Sequence, residues 1–110
     1  MKIYRKTNNY FAFNRIDANG NPILTTPQEL FFSVKESFES EEYIFQKKMT
    51  SGDITTRGNG EWQISILPVD TENLTAGKYV CDVKVIDENG LQFIIVPPQP
   101  FEVLDTVTIK

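Results

Sequence analysis

The residues best equipped for chemistry are the carboxylates Asp53, Glu61, Asp70, Glu72, Asp87 and Glu88, the single cysteine Cys81, and the aromatics Trp62, Tyr79 and Phe93. Paired carboxylates can act as general acid and base, or as the two groups of a glycosidase. All six acids lie in or beside stretches rich in turn residues, where solvated charge is the expectation. Asp17-Ala18-Asn19-Gly20-Asn21 begins like a calcium loop, which places glycine sixth and glutamate twelfth. Here glycine comes too early and the twelfth position is Gln28, so a turn accounts for the segment better. The glycines of Arg57-Gly58-Asn59-Gly60 neither follow a clear strand nor open a helix, as a phosphate-cradling loop requires. Trp62, Tyr79 and Phe93 have the character of a sugar-stacking platform, but alternation places each on an apolar strand face, which points to core packing.

Composition narrows the chemistry further. The chain has 110 residues, a formal charge of −4, one cysteine and no histidine. Without imidazole there is no Ser-His-Asp or Cys-His nucleophile and no His-ligated zinc, and one cysteine makes neither an intrachain disulfide nor a Cys-only metal site. Fifteen acidic against eleven basic residues argue against a binder of phosphate backbones, so nucleic acid is not an expected partner. Met1-Lys2-Ile3-Tyr4-Arg5-Lys6 is charged with no apolar stretch behind it, and no segment approaches the roughly 18 apolar residues of a membrane span. A soluble protein without an export signal is expected, and Asn73-Leu74-Thr75 is taken as a chance glycosylation match. The expectation is a non-enzyme with no cofactor and no metal, forming one domain over residues 1–110.

Two-residue alternation recurs along the chain, and Phe, Tyr, Val, Ile and Thr supply the residues that half-buried strands favour. Tyr10–Ile16 reads as a strand closed by the turn at Asp17–Pro22. Leu30–Lys35 places Leu30, Phe32 and Val34 on one face and Phe31, Ser33 and Lys35 on the other. Phe31 interrupts that polar face. The acidic Glu36–Glu42 stretch leads into an edge strand near Tyr43–Lys47, whose charge would discourage aggregation. Residues 51–60 read as a mobile connection with at most a short strand. Glu61–Leu67 puts Trp62, Ile64 and Ile66 inward until Pro68 ends the ladder. Tyr79, Cys81, Val83 and Val85 share the next inward face, and Asp87-Glu88-Asn89-Gly90 is a hairpin signal. Leu91–Val96 is apolar on both faces, with Leu91, Phe93 and Ile95 on one side and Ile94 and Val96 on the other. It either lies deep in a sandwich or is covered by another chain. Pro97-Pro98-Gln99-Pro100 then forces a step before a terminal strand over Phe101–Ile109.

Seven to eight strands without a convincing helix predict an all-β, antiparallel sandwich, with a small β-barrel as the alternative. Leu74-Thr75-Ala76-Gly77-Lys78-Tyr79-Val80-Cys81 sharpens that expectation. A Tyr two residues before a Cys near a strand start has the spacing of the immunoglobulin tyrosine corner, whose hydroxyl bonds back to the upstream backbone. Tyr79 is therefore the candidate structural corner. Cys81, lacking a partner, reads as a buried small hydrophobe.

The order of these signals also carries a resemblance. Asp17-Ala18-Asn19-Gly20-Asn21-Pro22-Ile23, the Phe-rich Leu30–Val34, Trp62–Pro68, Leu74–Gly90 and Phe101–Thr108 together resemble the immunoglobulin-like domain at the N-terminus of upper baseplate proteins in phages of Gram-positive bacteria, and small stand-alone relatives in phages and prophages. The resemblance covers most of the chain and consists of sandwich punctuation, not reactive groups. It implies a structural part that docks to other virion subunits, with no catalytic residues to carry over. A receptor-binding section like the one that follows the domain in those proteins is not expected, so a short tail, baseplate or capsid accessory subunit is equally expected. The expected partners are virion proteins, with a homo-oligomer possible, and the expected location is a virion assembled in the bacterial host cytoplasm. Phe31, Ile94 and Val96 are the candidate contact residues. A module recognising cell-surface glycan is the alternative.

Overall fold

Where hydrophobic and polar residues alternate most strictly, the chain forms the strands that meet across the core. The computed structural model describes residues 1–108. Its strands are β1 (Lys2–Tyr4), β2 (Asn9–Asn14), β3 (Glu29–Lys35), β4 (Phe45–Lys48), β5 (Ile54–Gly58), β6 (Glu61–Ile66), β7 (Gly77–Ile86) and β8 (Gln92–Leu104). A single helical turn, α1 (Pro68–Thr71), separates β6 from β7. It was not foreseen from the sequence, where Pro68 marked only the end of a strand.

The strands form two sheets, ordered β1-β8-β7-β3-β4 and β2-β6-β5. They are stacked and not closed, so the chain is an all-β sandwich and not a barrel. Taking β2, β6 and β5 as strands B, E and D, and β4, β3, β7 and β8 as C′, C, F and G, this is the immunoglobulin order. The first strand departs from the constant-domain pattern. Instead of pairing with B, β1 runs parallel to β8, with Ile3 opposite Val103. The larger sheet is therefore mixed rather than wholly antiparallel, and Ile3 is buried in it.

Between the sheets, Leu30, Phe32 and Val34 of β3 and Cys81, Val83 and Val85 of β7 face Trp62, Ile64 and Ile66 of β6, all of them buried. Phe32 contacts Phe45 and Phe101 with ring centroids 6.2 and 6.0 Å away, in tilted and edge-to-face arrangements that suit the quadrupoles of the rings. Ion pairing supports the rim. Lys47, inward-facing on the edge strand β4, places its Nζ 2.6 Å from Asp70 Oδ2 of α1. Asp70 also accepts the Leu67 N–H at 2.7 Å. One carboxylate thus caps the helical turn and ties the edge of one sheet to the crossing from the other.

Two turns are built alike. In Asp17–Asn21 and in Asp87–Leu91 the aspartate Oδ1 accepts the N–H groups two and four residues on, each at 2.9 Å. Gly20 and Gly90 occupy the fourth position at φ +83° and +84°, a region where a side chain would strain the backbone. The carboxylates of Asp17 and Asp87 are thus engaged in shaping their own turns.

At the start of β7 the Tyr79 hydroxyl donates to the Thr75 carbonyl at 2.7 Å, forming the corner over the α1–β7 crossing. The Tyr79→Phe substitution keeps the ring and removes the hydroxyl. Because the bond is partly exposed, a loss of about 1 kcal/mol is expected in urea unfolding at unchanged m-value. An unchanged midpoint would assign the corner to the ring packing alone.

Candidate functional site

The outer face of the larger sheet collects the side chains that alternation turns away from the core. The register aligns Lys48, Phe31, Lys84 and Ile94 in one row across β4, β3, β7 and β8. Beside it runs a polar row of Gln46, Ser33 and Asp82. The Gln46 Nε2 donates to Ser33 Oγ at 3.0 Å. A groove of about 380 Å³ lies over these rows, and Phe38 and Tyr43 from the β3–β4 connection form a wall of it. Lysines lie against its rings: Lys35 Nζ is 5.5 Å from the Tyr43 centroid and Lys48 Nζ is 5.9 Å from that of Phe31. The face is thus amphipathic, with aromatic rings, flexible cations and one central carboxylate.

Burial raises the pKa of Asp82 above the ordinary carboxylate value, and the nearby charges of Lys35 and Lys84 offset this only in part. Glu29 moves the other way. Burial works against its ionised form, but hydrogen bonds from Thr50, Leu30 and Met49 outweigh that and hold its pKa below the usual value. On the inner side of the sheet, burial pushes the Cys81 thiol up to about 11.

The three contact candidates separate. Phe31 lies on the outer face, half-covered by its neighbours. Ile94 joins it in the same row and is 51% exposed. Val96 does not. It sits opposite Val83 while Ile94 sits opposite Lys84, leaving Ile95 as an extra residue between them. That bulge reverses the alternation, so Val96 turns inward and packs against the core with Ile95. Nor does Leu91–Val96 lie deep in the sandwich: Leu91 and Phe93 are more than half exposed. The inner side of this arm borders a second cavity of about 420 Å³ with Ile16, Ile23 and Phe93 in its walls. Arg15 is buried at its margin, donating to the Thr25 carbonyl at 2.8 Å and lying 3.6 Å from Glu88.

The proline segment does not end the strand. Further irregularity in the pairing of Cys81–Val83 with Val96–Gln99 absorbs Pro97 and Pro98, and β8 runs on to Leu104. Ile109, included in the expected terminal strand, lies outside the described residues. The possible sugar platform is not assembled: Trp62 is buried in the smaller sheet, whereas Tyr79 and Phe93 belong to opposite ends of the β7–β8 ladder in the larger one. Arg57–Gly60 forms the tight connection from β5 to β6. Phe38, Tyr43, Lys48 and Lys84 carry no local sequence signal of a site. Their charge and aromaticity were visible, but their convergence depends on cross-strand register.

No family model matches the chain, and no curated protein matches it. Among solved structures it is similar to part of a Bacteroides vulgatus ATCC 8482 protein assigned as a glycoside hydrolase, with a TM-score of 0.52 at 13% identity. That match covers 96% of this chain and 16% of the other, and bears on fold alone. It is also similar to CopC from Methylosinus trichosporium OB3b, with a TM-score of 0.44 at 14% identity over 77% of this chain and 71% of that one. For murine CRIg the TM-score is 0.42 at 16% identity, over 96% and 91% of the two chains.

Two outcomes follow from the titrating groups. The folded state holds the Asp82 proton more tightly than the unfolded chain does, so ionised Asp82 costs stability above its folded pKa, and this cost fades as pH falls through that value. Asp82→Asn should therefore be more stable than the parent at pH 7, with the difference closing below about pH 4. Thermal unfolding across that range measures it, and a constant difference would reject the assignment. Cys81, buried and protonated at neutral pH, should react with a thiol-specific reagent only upon unfolding. Rapid labelling of the native protein would contradict its place in the core.

Proposed function

We propose that this chain is a non-enzymatic structural or assembly subunit of a phage or prophage particle, acting through protein–protein contacts made by the outer face of its larger sheet. The carrying observation is the row in which Phe31 and exposed Ile94 flank Lys84 beneath the groove. Aromatic and aliphatic anchors surrounded by polar side chains are what a protein partner desolvates on binding. The order of sandwich signals from Asp17 to Thr108, similar to that of baseplate immunoglobulin-like domains, supports placing the partner in a tail, baseplate or capsid. Exposed Phe93, on the opposite side of the same arm, adds a second apolar area apart from the groove.

Capture against separately expressed tail, baseplate and capsid subunits of the phage or prophage that encodes the chain tests the reading. One of them should bind, and Phe31→Ala and Ile94→Lys should each weaken that binding about tenfold or more. Ile94→Lys should leave the unfolding midpoint nearly unchanged, because the parent side chain is already half in water. Failure to bind any virion protein would overturn the assignment, and binding indifferent to both substitutions would move the contact away from this face.

A further inference from the structure

The smaller sheet has an open edge whose chemistry is unlike that of the other edges. In the order β2-β6-β5, β2 has a neighbour on one side only. Its pairing with β6 sets Asn9 opposite Ile66, Phe11 opposite Ile64 and Phe13 opposite Trp62. The phase of the hydrogen bonds follows from both ends of the ladder. The Arg15 N–H donates to the Gly60 carbonyl at 2.8 Å, and across β6 the Ser65 N–H donates to the Asp53 carbonyl at 3.0 Å. Hence Asn9, Phe11 and Phe13 direct their backbone groups toward β6, while Tyr10, Ala12 and Asn14 direct theirs outward. Among the described residues these outward groups have no hydrogen-bond partner. The turn after β2 does not close the edge, because it folds over Gly60 on the β6 side: a Cβ there would lie 2.9 Å from the Arg15 carbonyl and 3.0 Å from Pro22 Cβ.

Edges are ordinarily blunted by charge, proline, bulges or short length. Each of the others has such a device: β4 carries Lys47 and Lys48, β5 carries Arg57 beside a bulge, β1 spans three residues beginning at Lys2, and the stretch of β8 that β1 leaves uncovered carries Pro97, Pro98 and bulges. β2 reads Asn-Tyr-Phe-Ala-Phe-Asn, six residues without charge, proline or bulge. Around Ala12 its order is locally symmetric, Phe11-Ala12-Phe13. A copy paired antiparallel through Ala12 therefore sets small residue against small and aromatic against aromatic, which makes the edge complementary to itself.

We infer that a second copy of this chain pairs antiparallel along β2, joining the two smaller sheets into one continuous sheet across a twofold axis at Ala12. This register opposes Ala12 to the partner's Ala12 and Tyr10 to the partner's Asn14, so every outward N–H and C=O of the strand finds a backbone partner. On the solvent face the residue at the axis is the small, exposed Ala12, which meets its own copy without crowding. On the core face Phe11 comes opposite the partner's Phe13, and an aromatic cross-strand pair of this kind adds to the ladder. Half-buried Phe11 is thereby covered, extending the row of Phe13, Ile64 and Trp62 across the interface. The pairing uses neither Phe31 nor Ile94 and is independent of the docking reading for the larger sheet.

Sedimentation velocity of the intact chain over a concentration series, with Ala12→Pro and Ile94→Lys alongside, tests the inference. The parent should dimerise reversibly. Ala12→Pro removes an outward N–H that β6 does not use and sets a ring on the edge, so it should weaken the dimer about tenfold or more while circular dichroism and melting stay near the parent. If that variant fails to fold, Ala12→Lys serves instead, setting two ammonium groups together at the axis from an exposed position. Under mild oxidation Ala12→Cys should form a covalent dimer, since opposed residues of a hydrogen-bonded pair have Cα atoms about 5.5 Å apart, within disulfide reach. A parent that stays monomeric at every concentration would overturn the inference. So would a dimer indifferent to the Ala12 substitutions, including one that only Ile94→Lys dissociates, which would place the contact on the larger sheet.

Discussion

The two sheets of this sandwich are held face to face by packing, without a covalent link. An immunoglobulin-like domain with its cross-sheet disulfide restricts the unfolded chain, and closing a loop of comparable length is worth on the order of 4 kcal/mol. With Cys81 as the only cysteine, that contribution is absent and the apolar layer between the sheets must replace it. Phe32 is its pivot, fully buried and in contact with Phe45 from the edge strand and Phe101 from the last one. Three strands of the larger sheet are thereby keyed to one ring. Each fully buried large aliphatic or aromatic side chain contributes roughly 1.5–3 kcal/mol, so replacing the missing disulfide requires only two or three good core residues.

The polar ties sit where that packing ends. Lys47–Asp70 secures the outer margin of β4, and Tyr79–Thr75 the crossing into β7. Arg5 closes the side near β1, donating to Asp105 at 2.7 Å and to the Glu72 carbonyl at 3.2 Å. The Lys47 and Arg5 ties join segments far apart in sequence, whereas the Tyr79 bond is local. Burying an ion pair has a desolvation cost that its attraction must first recover, so such ties specify how the sheets meet more than they add to the depth of the well.

What alternation encodes could be read directly. The inward residues of β3 and β6, and Cys81, Val83 and Val85 of β7, follow from period two because these strands pair without interruption or lie on the regular side of a bulge. The corner at Tyr79 was legible because its spacing is local. β8 was not legible: one extra residue at Ile95 reverses the phase, and a single-strand pattern contains no mark of it, so Ile94 and Val96 were given one face although they point apart. β1 escaped for another reason. Three residues are too few for periodicity, and its partner lies at the far end of the chain. The groove is legible last of all, since Lys48, Phe31, Lys84 and Ile94 meet only once three strand registers are fixed.

The placement of β1 also explains why surface chemistry is distributed as it is. A first strand paired with β2 would close the smaller sheet and leave the final residues of β8 as an edge. Here the exchange goes the other way: β1 covers Glu102–Leu104, and β2 is left open. The edge so protected belongs to the long strand whose other half carries the exposed apolar arm. The rest of that strand, from Gln92 to Gln99, has β7 on one side only, and there the edge beside Phe93 and Ile94 is blunted by Pro97, Pro98 and the bulge at Ile95. The edge without such devices is left to β2, on the other sheet. The larger sheet keeps an apolar face with its long strand paired on both sides at Glu102–Leu104, while the smaller one keeps an open edge whose outward residues are Tyr10, Ala12 and Asn14. Two distinct contacts then become compatible on one small domain, because occupying the edge of one sheet leaves the outer face of the other clear.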